Sequence, residues 1–321
     1  MHELLHISNL NLTFETHDGP VHVLHGVDLS VGAGERVALV GESGSGKSVT
    51  ARAIMGLLPD RRVRIAGRIG FEGADILREP PARTKARRGR DITMIFQDPM
   101  AALNPVFKIR QQFTAVLDRV DRRLTGQEAE EHMRAALRDV SIVDPGRVLD
   151  SYSFQLSGGL NQRVMIAMAL ASRPKLLIAD EPGTALDVTV QQQTLNIMGN
   201  LSQAYGTAIL FISHNLGVVR KFADRVCVMY AGRIVESAPT DALFADPRHP
   251  YTRALLASVP RLSSDRLPEP IEGSVPDLSK LAEGCPFRPR CQLSRPECDA
   301  PVPMRRDAGR SVACIHEASA A

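Results

Sequence analysis

Arg36-Val37-Ala38-Leu39-Val40-Gly41-Glu42-Ser43-Gly44-Ser45-Gly46-Lys47-Ser48 is the stretch on which the fold turns. RVALV is a short, mostly apolar run bounded by glycine, the mark of a buried strand. The next eight residues fit G-x-x-x-x-G-K-[ST]. Glycines let a backbone wrap close to phosphate oxygens with successive N–H groups pointing inward. A helix start adds a favourable dipole. Downstream, Val49, Ala53, Ile54, Leu57 and Leu58 fall on one helical face, and Pro59 ends the run. Strand, phosphate loop and helix thus follow in the required order. In this arrangement Lys47 reaches the β- and γ-phosphates of a nucleotide, and Ser48 offers its hydroxyl to Mg²⁺.

Working outward, KLLIAD (Lys175 to Asp180) and AILFIS (Ala208 to Ser213) read as two further buried strands. Strands alternating with helices predict a mostly parallel sheet covered by helices. Between Gln97 and Pro174 the pattern turns helical, as in Glu128 to Val140 and in Leu160, Val164, Ala167, Met168 and Ala171. This reads as a helical insertion in an α/β core. CVMYAGRIV, Cys227 to Val235, predicts two strands around an Ala-Gly turn. Beyond Pro260 periodicity fades and Pro, Ser, Asp and Arg increase. A boundary is therefore expected near 260, dividing residues 1–260 from an extension over 261–321.

LLIADE is an apolar strand ending in two carboxylates. At such an end Asp180 can hold Mg²⁺ through water, and Glu181 can orient or deprotonate an attacking water, as phosphoryl transfer requires. Alone the pattern is weak; beside a phosphate loop it points to nucleotide hydrolysis. LSGGLNQR, Leu156 to Arg163, opens a helix upstream of that strand, with Ser157 as its expected N-cap and two glycines that permit close backbone approach. It is either a second phosphate-binding helix start or an ordinary capped helix.

Net charge is +3, from 39 basic and 36 acidic residues, too balanced to argue for nucleic acid as a partner. The basic run Arg83 to Arg90 reads as a solvated loop. The N-terminus shows no basic segment followed by an apolar core. No apolar run approaches the roughly 20 residues that span a bilayer. A cytoplasmic chain with reduced thiols is expected, and a membrane role would come through a partner.

The phosphate loop, Gln97, LSGGLNQR, LLIADE, Ala185-Leu186-Asp187 and Ser213-His214 occur in the order found in ATP-binding cassette (ABC) ATPases, and the chain resembles that family over residues 4–240. The resemblance implies an α/β fold: a P-loop NTPase core with an antiparallel β subdomain, a helical subdomain inserted at about 98–173, and a small irregular C-terminal extension. It implies that ATP is held by Gly41, Glu42, Ser43, Gly44, Ser45, Gly46, Lys47 and Ser48, with Mg²⁺ near Ser48, Gln97 and Asp180. It also implies head-to-tail pairing of two cassettes, so that Ser157, Gly158, Gly159 and Gln162 meet the γ-phosphate of the partner's ATP. Glu181, His214 and Gln97 become the catalytic set, and Asp187 communicates across the dimer. Phe14 is the candidate for stacking on adenine, with His17 and His22 as alternatives.

Finer features, FQDPMAALNP (Phe96 to Pro105), VMIAMALA (Val164 to Ala171) and HPYTRALLASVP (His249 to Pro260), are similar to the oligopeptide/dipeptide importer group. That likeness implies the ATP-hydrolysing subunit of an importer of di- and oligopeptides, or of nickel, glutathione or another solute of the group. Its implied partners are a second, related ATPase subunit, two transmembrane permease subunits and an extracytoplasmic solute-binding protein, on the cytoplasmic face of a bacterial cell membrane. A soluble, non-transport cassette ATPase is the alternative. The chain departs from the group at Asn161, where Arg is usual, at Gly183 in a Thr position, and at Asn215, which follows the histidine in place of Asp.

Four of the five cysteines lie at the end of the chain: Cys285, Cys291 and Cys298 in GCPFRPRCQLSRPEC, then Cys314. Zinc-finger and ferredoxin spacings are tighter, so spacing supports only four soft ligands that a folded tail can bring together. Dipeptide importers with this tail imply a [4Fe–4S] cluster on these four; structural zinc and unliganded thiols remain open. Cys227, in an apolar strand, reads as a small core residue.

Overall fold

The computed structural model describes residues 3–59, 62–120, 124–183, 187–259, 270–281, 283–307 and 309–316. The chain forms two compact units, one of residues 1–4, 31–35 and 78–211, the other of 5–30, 36–77 and 212–321. The boundary expected near 260 falls outside the described residues.

The second unit opens with strands β1 (Glu3–Thr16), β2 (Gly19–Gly32) and β3 (Arg36–Val40), helix α1 (Lys47–Met55), and strands β4 (Val63–Phe71) and β5 (Ala74–Asp75). One sheet runs β2-β1-β4-β5, with β1 antiparallel to β4. A register shift between Ser8 and Asn11 moves the buried positions of β1 from Leu5 and Ile7 to Leu10 and Leu12. The bulge thus keeps one face on the core although the side-chain period of a strand is two.

Helix α1 ends earlier than its apolar pattern suggests. Gly56 adopts φ 59 and ψ 40; its N–H meets Ala53 O and the Leu57 N–H meets Arg52 O. This left-handed cap stops the helix before Leu57, which is 39% exposed. Ala53 and Ile54 of the expected stripe are buried, joined by Thr50, Ala51 and Met55, while Val49 is only half-buried and Leu57 and Leu58 lie beyond the helix.

The first unit contains α2 (Pro81–Arg87), β6 (Ile92–Ile95), α3 (Pro99–Ala102), α4 (Ile109–Val120), α5 (Gly126–Asp139), α6 (Pro145–Asp150), α7 (Gly158–Leu170), β7 (Leu176–Asp180), α8 (Val188–Tyr205) and most of β8 (Ala208–Ile212). Strands β6 and β7 are parallel, and Ala208 N donates to Lys175 O to bring in β8. All five residues of β7 are buried, as expected of a strand covered on both faces. Phe113, Leu117, Met133, Leu137, Val148 and Ile166 fill the helical core. Thr125 and Glu128 form a reciprocal capping box that starts α5. The basic run is not a loop throughout: α2 occupies Pro81–Arg87, exposed, because proline pre-sets the first helical turn and Arg, Lys and Ala propagate it.

The second unit resumes with α9 (Leu216–Phe222), β9 (Arg225–Tyr230), β10 (Arg233–Pro239), α10 (Thr240–Ala245), α11 (Pro250–Ala257), β11 (Arg305–Asp307) and β12 (Arg310–Val312). Its second sheet runs β11-β12-β10-β9-β3, with β3 parallel to β9. β9 and β10 form the expected hairpin about Ala231 and Gly232, both at positive φ. The described part of the tail is mostly irregular chain and single helical turns, tied to β10 through β12. Cys227 is 1% exposed in β9 and serves as a core residue. Among the described residues no helix is long and apolar enough to cross a membrane.

Candidate nucleotide site

The phosphate loop belongs to the second unit, between β3 and α1. Gly41 has φ 152, and a Cβ there would lie 2.0 Å from Met229 O, so only glycine fits. Lys47 is 6% exposed; its Nζ donates to Gly41 O and Glu42 O at 2.8 Å each and to Ser45 Oγ at 3.3 Å. The ammonium is thus curled into the loop it serves. Ser45 and Gly46 are buried, Ser43 and Gly44 exposed, and Ser48 half-buried in the first turn of α1. The Glu42 N–H donates to Tyr251 Oη at 2.8 Å, and the Glu42 carboxylate is gripped by Arg290 at 2.7 and 3.1 Å. Neither Tyr251 nor Arg290 stood out as a site residue; both are remote in sequence, and only the conspicuous HPYTRALLASVP stretch drew attention to the first.

The same unit holds His214, exposed after β8. Asn215 caps α9, its Oδ1 accepting from Val218 N at 3.3 Å, a task Asn performs as well as the usual Asp. Phe14 is half-buried in β1, opposite Val63. His17 is exposed, and His22 packs on His25 with ring centroids 3.9 Å apart.

In the first unit, Asp180 ends β7 and is 6% exposed. Glu181 follows at φ 49, a left-handed conformation uncommon outside glycine and typical of functional sites. Its Oε2 accepts from Gln97 Nε2 at 3.0 Å, which joins two residues far apart in sequence. Gln97 is exposed beyond β6, and the same segment exposes Phe96, Val106 and Phe107 by 43%, 71% and 47%. Ser157 caps α7 as expected, accepting from Leu160 N. Ser157 and Gly158 are exposed and Gly159 half-buried, whereas Gln162 is wholly buried on the inner face of the same helix, which does not fit the contact with a partner's γ-phosphate expected of it. Asn161, also buried, donates from Nδ2 to Ser153 O at 2.9 Å and ties α7 to the chain before it. Gly183 sits at φ 94. Asp187 caps α8, accepting from Val190 N at 2.9 Å; its neighbours Ala185 and Leu186 lie outside the described residues.

Cys285, Cys291, Cys298 and Cys314 are free thiols lining one cavity with His249 and Phe287. Burial pushes the Cys285, Cys291 and Cys314 thiols up, and the neighbouring cysteines add to it. Among the described residues, no three His, Cys, Asp or Glu side chains are arranged to hold a metal ion.

Residues 24–184 match the ABC transporter family, and residues 235–298 match the oligopeptide/dipeptide transporter C-terminal region. The oligopeptide transport ATP-binding protein AppD of Bacillus subtilis (strain 168) is 44% identical over 320 residues, 98% of this chain and 97% of its own. The dipeptide transport ATP-binding protein DppD of the same organism is 44% identical over 305 residues, 94% of this chain and 91% of its own. In fold, the chain is similar to a dimeric ATP-binding cassette solved in a post-hydrolysis state with ADP and Pi. That likeness has a TM-score of 0.66 at 24% identity, over 74% of this chain and 98% of the other. A phosphate loop with its lysine curled inward, a carboxylate pair closing a buried strand, and full-length likeness to transport ATP-binding proteins converge: the chain belongs to the ABC transporter family of ATP-binding proteins, in the branch that carries the oligopeptide/dipeptide transporter C-terminal region.

Proposed function

We propose that the protein is the ATP-hydrolysing subunit that energises import of di- and oligopeptides through a membrane ABC transporter. The observation that carries this reading is likeness to peptide-transport ATP-binding proteins over almost the whole chain, tail included. On ATP binding, Lys47 exchanges loop carbonyls for phosphate oxygens, while the loop N–H groups hold the phosphates. Glu181, oriented by Gln97, directs the attacking water and accepts its proton. His214 meets the γ-phosphate. Ser157, Gly158 and Gly159, at an open helix start, serve the ATP of the partner cassette. Asp187 communicates across that dimer, and Phe14 stacks on adenine.

Hard oxygen donors suit Mg²⁺, which is ordinarily bound by one or two protein oxygens together with substrate phosphates and needs no cluster of three carboxylates. The oxygen donors this reading assigns to the ion are the buried Asp180 carboxylate, the Ser48 hydroxyl and the Gln97 amide, and the ion would neutralise phosphate charge. The four tail thiols line one apolar cavity, and soft sulfur ligands gathered there suit a [4Fe–4S] cluster, with structural zinc as the other soft-ligand reading. Bound there, the cluster would cross-link the tail. Iron and acid-labile sulfide in anaerobically purified protein support it; colourless protein with neither excludes it.

The partners in this reading are a second, related ATPase, two permease subunits and a solute-binding protein. The chain would lie on the cytoplasmic face of the cell membrane. The exposed apolar side chains Phe96, Val106 and Phe107, in the segment that carries Gln97, offer the permease a docking surface. The test is reconstitution of the whole complex in proteoliposomes: ATP-driven uptake of peptide is expected. ATP turnover with no peptide uptake would sink the peptide reading.

A further inference from the structure

The cysteine tail reaches into the phosphate loop. Arg290, between Phe287 and Cys291, has a side chain only 5% exposed and uses its guanidinium fully. Nη1 donates to Glu42 Oε2 at 2.7 Å and Tyr230 Oη at 3.2 Å. Nη2 donates to Glu42 Oε1 at 3.1 Å and Ile271 O at 3.2 Å, and Nε to Glu272 O at 2.8 Å. The fork is flanked by the Tyr230 and Phe287 rings, 5.8 and 5.9 Å from their centroids. Phe287 in turn packs against Tyr230 and Tyr251, each with centroids 5.3 Å away.

Glu42 is the second residue of the phosphate loop, and every polar group it has is engaged. Its carboxylate is held by Arg290, its N–H by Tyr251, and its carbonyl by Lys47. Two consequences follow. A bidentate Arg–carboxylate pair in a largely buried setting fixes the loop backbone before phosphate arrives. It also neutralises a carboxylate beside the place where a polyanion must bind; unpaired, that charge would oppose the triphosphate.

We propose that Arg290 is a positioning residue for ATP, acting through Glu42, so that the cysteine tail is a working part of the nucleotide site instead of an appendage. This rests on the ATP-binding reading of the loop. Because Cys285 and Cys291 bracket Phe287 and Arg290, the tail's four-thiol cavity is built from the same short segment that holds the loop.

Steady-state ATPase kinetics on the full chain decide it, with melting curves to verify folding. Arg290→Met is expected to raise KM for ATP about tenfold, more than it lowers kcat. Glu42→Gln is expected to raise it about two- to threefold, because an amide keeps the shape and loses the charge pair. The double variant should stay at or below the KM of Arg290→Met, since one interaction is removed twice. Arg288→Met is the control: Arg288 pairs with Asp299 inside the tail at 2.5 Å and does not pair with the loop. It should leave KM unchanged. Wild-type KM in Arg290→Met, a double variant equal to the product of the singles, or an equal rise in Arg288→Met overturns the proposal. If Arg290→Met does not fold, Arg290→Lys replaces it, keeping charge but losing the fork, and a wild-type KM there is equally fatal. Absence of ATP turnover in the wild type would instead defeat the underlying ATPase reading.

Discussion

Glu181 shows what one residue adds to a motif. An apolar run ending in Asp-Glu marks two carboxylates at a strand end, and that much is legible from the chain. Its left-handed backbone and its hydrogen bond from Gln97 are not, because the two residues meet only when β6 and β7 pair side by side. Replacing Glu181 by Gln preserves shape and removes the basic carboxylate. ATP binding is expected to persist while turnover falls by about 10²- to 10³-fold. Single-turnover hydrolysis beside equilibrium ATP binding measures both, and near-normal turnover would remove Glu181 from the role of base.

Elements explain where the sequence pattern misled. The apolar stripe after Lys47 runs on to Leu58, but a cap at Gly56 ends α1 because a left-handed residue cannot continue a right-handed helix. Departures from the importer group behave as element ends too: Asn215 caps α9, and Asn161 pins α7 from below. At α11 the cap is His249, 1% exposed, whose Nδ1 accepts from Tyr251 N at 3.0 Å, an interaction only a neutral imidazole can make. Burial pulls its pKa from 6.5 down to about 4. The unfolded chain therefore binds a proton that the folded chain refuses. The resulting stability, about 3 kcal/mol, is complete above pH 6.5 and is lost as pH falls toward 4. His249→Asn retains a capping acceptor without titrating. Urea unfolding from pH 7 to 4.5 should show a shallower decline for this variant; identical slopes would refute the assignment.

For the molecule as a whole, ABC membership and peptide-transporter likeness make the chain one part of a larger machine. If its hydrolysis is coupled to import, adding peptide-loaded binding protein to the reconstituted complex should raise ATP turnover several-fold, and unloaded binding protein less. Equal rates in both cases would mean that hydrolysis runs uncoupled from solute.

Much of this was present in the linear chain. The phosphate loop, the strand ending in Asp180 and Glu181, and the buried strands are local patterns, set by neighbouring residues and by the alternation of apolar and polar side chains. Phosphate binding in particular needs only consecutive backbone N–H groups, so eight residues suffice to announce it. Tertiary structure alone decided what holds that loop. Tyr251 and Arg290 reach Glu42 from across the sequence, and the four cysteines come to one cavity although their spacing fits no standard ligand pattern. Such contacts depend on which surfaces pack together, and no local pattern encodes them.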